Sequence, residues 1–217
     1  MQNYVDVTLK GLQRNRMAAY YVETKEEVIP LFRELVPAGS SISLGGSVTI
    51  QECGLLDEVY TERYELFDRY REGLSEEEVI EVKRQALLAD VLVCSSNAIT
   101  EDGYLYNVDG SSNRIASIAF GPKSVVIVAG INKIVPTLED AVHRVKTIAA
   151  PLNAMRLDCN TYCTRTGECA SLQGKEGDAP CTGCASPGRI CCNYLISGQQ
   201  LFGDRIKVIL VGEKLGY

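Results

Sequence analysis

Val125-Val126-Ile127-Val128 and Val208-Ile209-Leu210-Val211 are apolar runs with no polar residue to interrupt them. A strand with one face in water alternates apolar with polar side chains. A strand covered on both faces has no solvent side to supply. The two runs therefore predict strands of a mainly parallel sheet with helices packed against each face. They extend to Ser124–Ala129 and Lys207–Val211, and Ala18 to Val22, Ser41 to Leu44 and Asp90 to Cys94 read as further strands.

Helical stretches lie between them. Ser75-x-x-Glu78 is a capping-box pattern ahead of Val79, Val82, Ala86 and Leu87 at helical spacing. Thr137 precedes an apolar stripe through Leu138, Ala141, Val142, Val145, Ile148 and Ala149, with Pro151 expected to end or kink it. Thr24 caps a segment from Lys25 to Leu35 that Pro30 interrupts. Between Ile99 and Asn113, Asp102-Gly103 reads as a tight hairpin, and Asp109 to Asn113 as a polar loop entering a helix near Ser111 or Ser112. Strands alternating with helices predict an open α/β fold.

The 217 residues suffice for one such domain, and 46% hydrophobic with 23% charged residues is the balance of a soluble globular protein. A net charge of −6 gives no general attraction to nucleic acid or anionic membrane. No apolar run approaches the roughly 20 residues of a membrane span. Gln2-Asn3-Tyr4-Val5-Asp6 has neither the basic nor the apolar part of a secretory signal. A cytoplasmic location is expected, where thiols stay reduced.

That expectation bears on the cysteines. Seven of the nine fall between Cys159 and Cys192, spaced Cys159-x3-Cys163-x5-Cys169-x11-Cys181-x2-Cys184-x6-Cys191-Cys192. Reduced thiols at this density read as a metal centre more readily than as disulfides, and an odd total pairs poorly. Four thiolates suit tetrahedral zinc or an iron–sulfur cluster, and the spacing is not the ferredoxin run. Glycines and prolines fill the loop, as in a metal-organised knuckle. Cys181 and Cys184 have knuckle spacing, whereas Cys191 and Cys192 are adjacent and tend to diverge. Cys53 and Cys94, outside the cluster, read as small buried hydrophobes. The segment leaves the main domain after the Thr137 helix and returns before the strand at Lys207. Hence an α/β domain is expected over 1–158, a cysteine-rich lobe over 159–200, and a returning strand in 201–217.

A second constellation concerns ligand binding. Gly45-Gly46-Ser47 follows a strand and opens a helix expected to run to Leu56, where backbone N–H groups can meet an anion. It matches neither a Walker A motif nor a dinucleotide fingerprint, and a tight turn is the plain reading. Glu101, Asp102, Asp109, Ser111, Asn113 and Arg114 would converge with it if the hairpin lies beside that turn, at the strand ends where open α/β sheets bind ligands. Arg114 would then clamp a carboxylate, with Glu101 or Asp109 as the acid/base group. Otherwise these are turn formers and solvated loop residues. Lys133, after another buried strand, would face the same cleft. His143, the only histidine, reads as exposed or structural.

Taken in order, Leu44-Gly45-Gly46-Ser47, Ser96-Asn97-Ala98-Ile99-Thr100-Glu101-Asp102-Gly103 and Asp109-Gly110-Ser111-Ser112-Asn113-Arg114 resemble the LUD-domain (lactate utilisation) family. Phe120-Gly121-Pro122-Lys123, Gly130-Ile131-Asn132-Lys133-Ile134-Val135 and Ala150-Pro151-Leu152-Asn153-Ala154 continue the resemblance. It implies a NagB/RpiA/CoA-transferase-like fold and a link to oxidation of L-lactate, in which some members are subunits of an iron–sulfur oxidoreductase. The tail resembles a subgroup with Thr166-Gly167-Glu168-Cys169, Cys184 and Ser186-Pro187-Gly188-Arg189-Ile190-Cys191, with Cys163 in the place of its first cysteine. This chain departs from it by an apparent insertion around Gln173 to Pro180 and by Cys159, Cys181 and Cys192.

The resemblance thus implies Cys163, Cys169, Cys184 and Cys191 as ligands of a 4Fe-4S cluster, with zinc as the other metal and Cys181, Cys159 and Cys192 as alternates. The expected ligand is a small organic acid or phosphate, held by Gly45, Gly46, Ser47, Asn113 and Lys133. If an enzyme, the protein is expected to be an oxidoreductase or a subunit of one. A binding module with a structural zinc knuckle and a redox-inert isomerase or transferase are the rival readings. Partner subunits and a homo-oligomer both stay open.

Overall fold

Within the apolar runs, neighbouring residues enter different cores. Val126, Val128, Ile209 and Val211 pack into one cluster, while Val125, Ile127, Val208 and Leu210 pack into a second on the opposite face. The computed structural model describes residues 3–173 and 179–217.

Helix α1 (Asn3–Arg14) leads into β1 (Ala18–Val22). A 3-10 turn over Lys25–Glu27 precedes α2 (Val28–Leu35), then β2 (Ser41–Leu44), α3 (Val48–Glu52) and α4 (Leu55–Val59). The short β3 (Glu65–Leu66) is followed by α5 (Glu76–Gln85) and β4 (Val91–Cys94). A hairpin of β5 (Ala98–Thr100) and β6 (Leu105–Asp109) comes next, then α6 (Asn113–Ala119), β7 (Ser124–Gly130) and β8 (Ile134–Val135). Helix α7 (Leu138–Arg144) passes through a π-helical turn, Val145–Ala149, into α8 (Ala150–Arg156). The cysteine-rich region holds α9 (Tyr162–Thr166), and β9 (Asn193–Ser197) and β10 (Ile206–Val211) follow.

Six strands form a parallel sheet in the order β1-β10-β7-β4-β2-β3. Helices α2, α3 and α4 supply residues to one of its cores, and α1 and α6 to the other. The α/β class and the parallel sheet predicted from the apolar runs are thus present. A second, mixed sheet, β8-β5-β6-β9, lies behind α7 and has its own core around Tyr106, Val142 and Val145. Among the described residues no helix is long and apolar enough to cross a membrane.

Local departures from the expected pattern have physical reasons. The helix expected to run from Ser47 to Leu56 breaks in two, because Gly54 takes a left-handed φ of 70° between α3 and α4. Pro151 does not end the helix: a π-helical turn, Val145–Ala149, comes just before it, and the helical rod continues from Leu138 to Arg156. The apparent insertion after Gln173 falls largely on residues 174–178, outside the described residues.

Candidate functional site

Three adjacent strands of the parallel sheet, β2, β4 and β7, end at one edge, and the residue runs that follow them build a cleft. Gly46 to Thr49 come after β2, Ser95 to Asn97 after β4, and Lys133 after β7. The junction of β6 and α6 adds Val108 to Arg114, and α8 adds Asn153 and Arg156. The cleft holds about 370 Å³, at the small end of ligand pockets.

Six of the predicted site residues, Gly46, Ser47, Asp109, Asn113, Arg114 and Lys133, meet here; Gly45 sits just behind them, buried against Cys94. Glu101 does not reach the cleft. Only the root of the β5–β6 hairpin lies beside the Gly45-Gly46 turn. Its tip points away to α1, where Asn15 donates to the carbonyls of Asp102 and Gly103 and Arg14 pairs with Asp102.

Arg114 is committed to the protein. Its Nε donates to Asp109, Nη1 to the Ser95 carbonyl and Asn107, and Nη2 to Asn97 at 2.8 Å and the Val108 carbonyl at 2.6 Å. A guanidinium has five N–H groups, and these five contacts use them all. No donor remains for a ligand carboxylate, so Arg114 fastens the loop after β4 to the β6–α6 corner. The anion-facing charge comes instead from Arg69, Lys83 and Arg156, which the sequence reading did not single out. Among the described residues none of the three is in an ion pair, and Asp109 is the one acidic side chain of the lining. Arg69 lies over the Tyr70 ring, and Arg156 donates to the Tyr217 hydroxyl and Asn153.

Lys133 is buried, with 3% of its surface exposed. Its Nζ donates to Thr49 Oγ1 at 2.8 Å and Ser95 Oγ at 2.9 Å. Burial, with Arg144 and Arg114 nearby, lowers its pKa to about 7. Ser95, which follows the strand predicted over Asp90–Cys94, was legible by the rule that points to Gly45. Arg144, also missed, donates to the carbonyls of Asn97 and Asn132 and so fixes two loops of the cleft floor.

A second cavity, of about 20 Å³, lies in the cysteine-rich region. Cys163, Cys169, Cys184 and Cys191 line it, with Tyr106 from β6, Val145 and Lys146 from the π-helical turn, and Pro151 from α8. Cys159, Cys181 and Cys192 do not line it. Arg189 braces the walls by donating to the carbonyls of Cys191, Cys184 and Cys181 and to the Tyr194 hydroxyl. Burial works against the Cys184 thiolate, but hydrogen bonds from Ser186 and the Tyr162 backbone outweigh it and lower the pKa. Cys191 goes the other way, because burial raises its pKa.

Among the described residues all nine cysteines are free, and no three His, Cys, Asp or Glu side chains stand close enough to hold a single ion. Four thiols are the kind of donors that a thiolate-bound metal centre would use. The space fits one water-sized body, so the walls would have to open to admit such a centre. Cys53 and Cys94 are core residues, and burial raises their thiols to about 11 and about 12.

The LUD domain family model matches residues 5–211. A crystal structure of a DUF162 family protein from Deinococcus radiodurans superposes with a TM-score of 0.52 at 16% identity, covering 96% of each chain. At that identity the likeness speaks for the fold. A search of curated proteins finds no match.

Proposed function

The chain belongs to the LUD-domain family, and from that premise we propose that it is a cytoplasmic iron–sulfur protein that handles a small organic acid such as lactate. The observation that carries this reading is the shared cavity: Cys163, Cys169, Cys184 and Cys191 come from separate turns of the chain and line one space. When bound, an iron–sulfur cluster accepts and passes single electrons. A zinc ion requires its sulfurs about 2.3 Å from one point. A cluster of several irons takes four thiolates, and four thiols line this cavity.

Organic-acid handling draws on the nearness of the two cavities. Ile190 lines the cleft and Cys191 the thiol cavity, so consecutive residues touch both. Strand β6 likewise presents Tyr106 to the thiols and Val108 and Asp109 to the cleft. Arg69, Lys83 and Arg156 attract a carboxylate, Ser47 and Asn113 offer neutral donors, and Asp109 is the proton acceptor at hand. An acid bound there lies within a few residues' width of the thiols.

Anaerobic purification followed by visible absorption and assay of iron, sulfide and zinc tests the proposal. Iron and sulfide should be present together, should be lost in Cys169→Ser and Cys184→Ser, and should persist in Cys159→Ser and Cys192→Ser. Colourless protein with stoichiometric zinc would transfer the case to a structural knuckle.

A further inference from the structure

The chemistry of Lys133 goes beyond charge. An ammonium has three N–H donors and a neutral amine has two with one lone pair. Nζ has two acceptors, Thr49 Oγ1 and Ser95 Oγ, whose own hydroxyl protons go elsewhere, to the Leu215 and Ser96 carbonyls. Among the described residues no carboxylate pairs with this lysine. Two acceptors lie within reach of Nζ, as many as a neutral amine has N–H groups.

On balance the surroundings favour that form. Arg144 from α7 and Arg114 from α6 oppose a positive charge, Glu52 and Cys53 beside α3 favour one, and burial is the largest influence against it. Lys133, Thr49 and Ser95 all contribute to the cleft wall. An uncharged amine in a cleft whose other cations select anions is a nucleophile facing a negatively charged ligand. The electrophile that satisfies both is a carbonyl carbon next to a carboxylate.

We infer that Lys133 condenses with the carbonyl of a 2-oxo acid held in the cleft, forming an imine. This deepens the organic-acid reading and rests on its anion-binding half, not on the metal. The amine lone pair forms the C–N bond while the carbonyl π pair moves to oxygen. Both amine protons then leave with that oxygen as water, giving C=N, and no oxidant is consumed. Thr49 and Ser95 hold the two N–H groups at the outset and lie where those protons depart.

The test is reductive trapping: the purified full chain is incubated with pyruvate or glyoxylate and borohydride, then read by intact mass and peptide mapping. One adduct per chain is expected, on the peptide bearing Lys133. It should form at pH 8 on the order of a hundredfold faster than on an exposed lysine, because the exposed amine is still protonated there. Lactate, which has no ketone or aldehyde carbonyl, should slow trapping by competition and leave no adduct. Mapping the unmodified sequence needs no variant, and Lys133→Gln, which keeps an uncharged hydrogen-bonding side chain but no nucleophilic amine, should take none. Adduct spread over surface lysines with none on Lys133, or no adduct at pH 8, overturns the inference. Metal content separates the two proposals. Trapping in colourless protein keeps this one and removes the cluster, and full iron with no Lys133 adduct does the reverse.

Discussion

Replacing Arg114 with alanine should lower unfolding free energy by about 3–5 kcal/mol. The side chains of Arg114 and Asp109 are 16% and 15% exposed, so the pair is largely out of water. Deletion strands the Asp109 carboxylate and takes a donor from Asn97, Asn107 and the carbonyls of Ser95 and Val108. Each bond is worth about 0.5–1.5 kcal/mol net, and contacts sharing one guanidinium do not add fully. The buried-pair range is therefore the better figure. Arg114→Lys should recover less than half, since an ammonium cannot span acceptors laid out for a planar fork. The chain has no Trp, so urea unfolding followed by far-ultraviolet circular dichroism is the assay. A loss under about 1 kcal/mol, together with abolished ligand binding, would refute this reasoning and make Arg114 a ligand clamp.

Asp90 accepts from Lys123 at 2.8 Å and from the Ser41 hydroxyl and N–H, which together lower its pKa to about 2. A depressed carboxylate contributes stability above its unfolded pKa and loses it as pH falls through the folded value. Asp90→Asn should therefore lower Tm at pH 6, with the gap to wild type closing between pH 4 and 2; a gap constant across that window would contradict the assignment. Gly103, at φ 80°, packs against the Gly11 backbone of α1. Gly103→Ala should cost at least about 2 kcal/mol in denaturant unfolding, from the left-handed conformation and the overlap combined. An unchanged midpoint would mean that hairpin and helix are not in contact.

The parallel sheet was legible because strands buried on both faces leave unbroken apolar runs, and five of its six strands lie close to the expected bounds. Strand β3, two residues long, gives no such signal. Helix α1 was missed because Thr8 and Gly11 occupy its buried stripe beside Val5 and Leu12 and dilute the apolar period. Strand β9 lies within the expected cysteine segment: Asn193 and Ile196 are exposed, and it is defined by pairing with β6, a long-range contact no local pattern encodes. In the cleft, residues just past a strand end were readable. Arg69, Lys83 and Arg156 arrive from distant segments and look like ordinary surface cations in one dimension. Arg114 was found by position, but the saturation of its donors becomes visible only once Asn97, Asn107 and Val108 are folded around it.

The helical rod from Leu138 to Arg156 touches the cleft twice and the thiol cavity in between. Arg144 holds the cleft-floor carbonyls, Val145, Lys146 and Pro151 face the thiols, and Asn153 and Arg156 return to the cleft. The π-helical turn between its ends is the part that faces the sulfurs. An occupant of the thiol cavity would lie against this rod, and a rod displaced there would carry Arg156 with it. Linkage then works in both directions: whatever factor a metal centre imposes on affinity in the cleft, an anion in the cleft imposes on metal retention. The two cavities, although separately walled, would behave as a single thermodynamic unit.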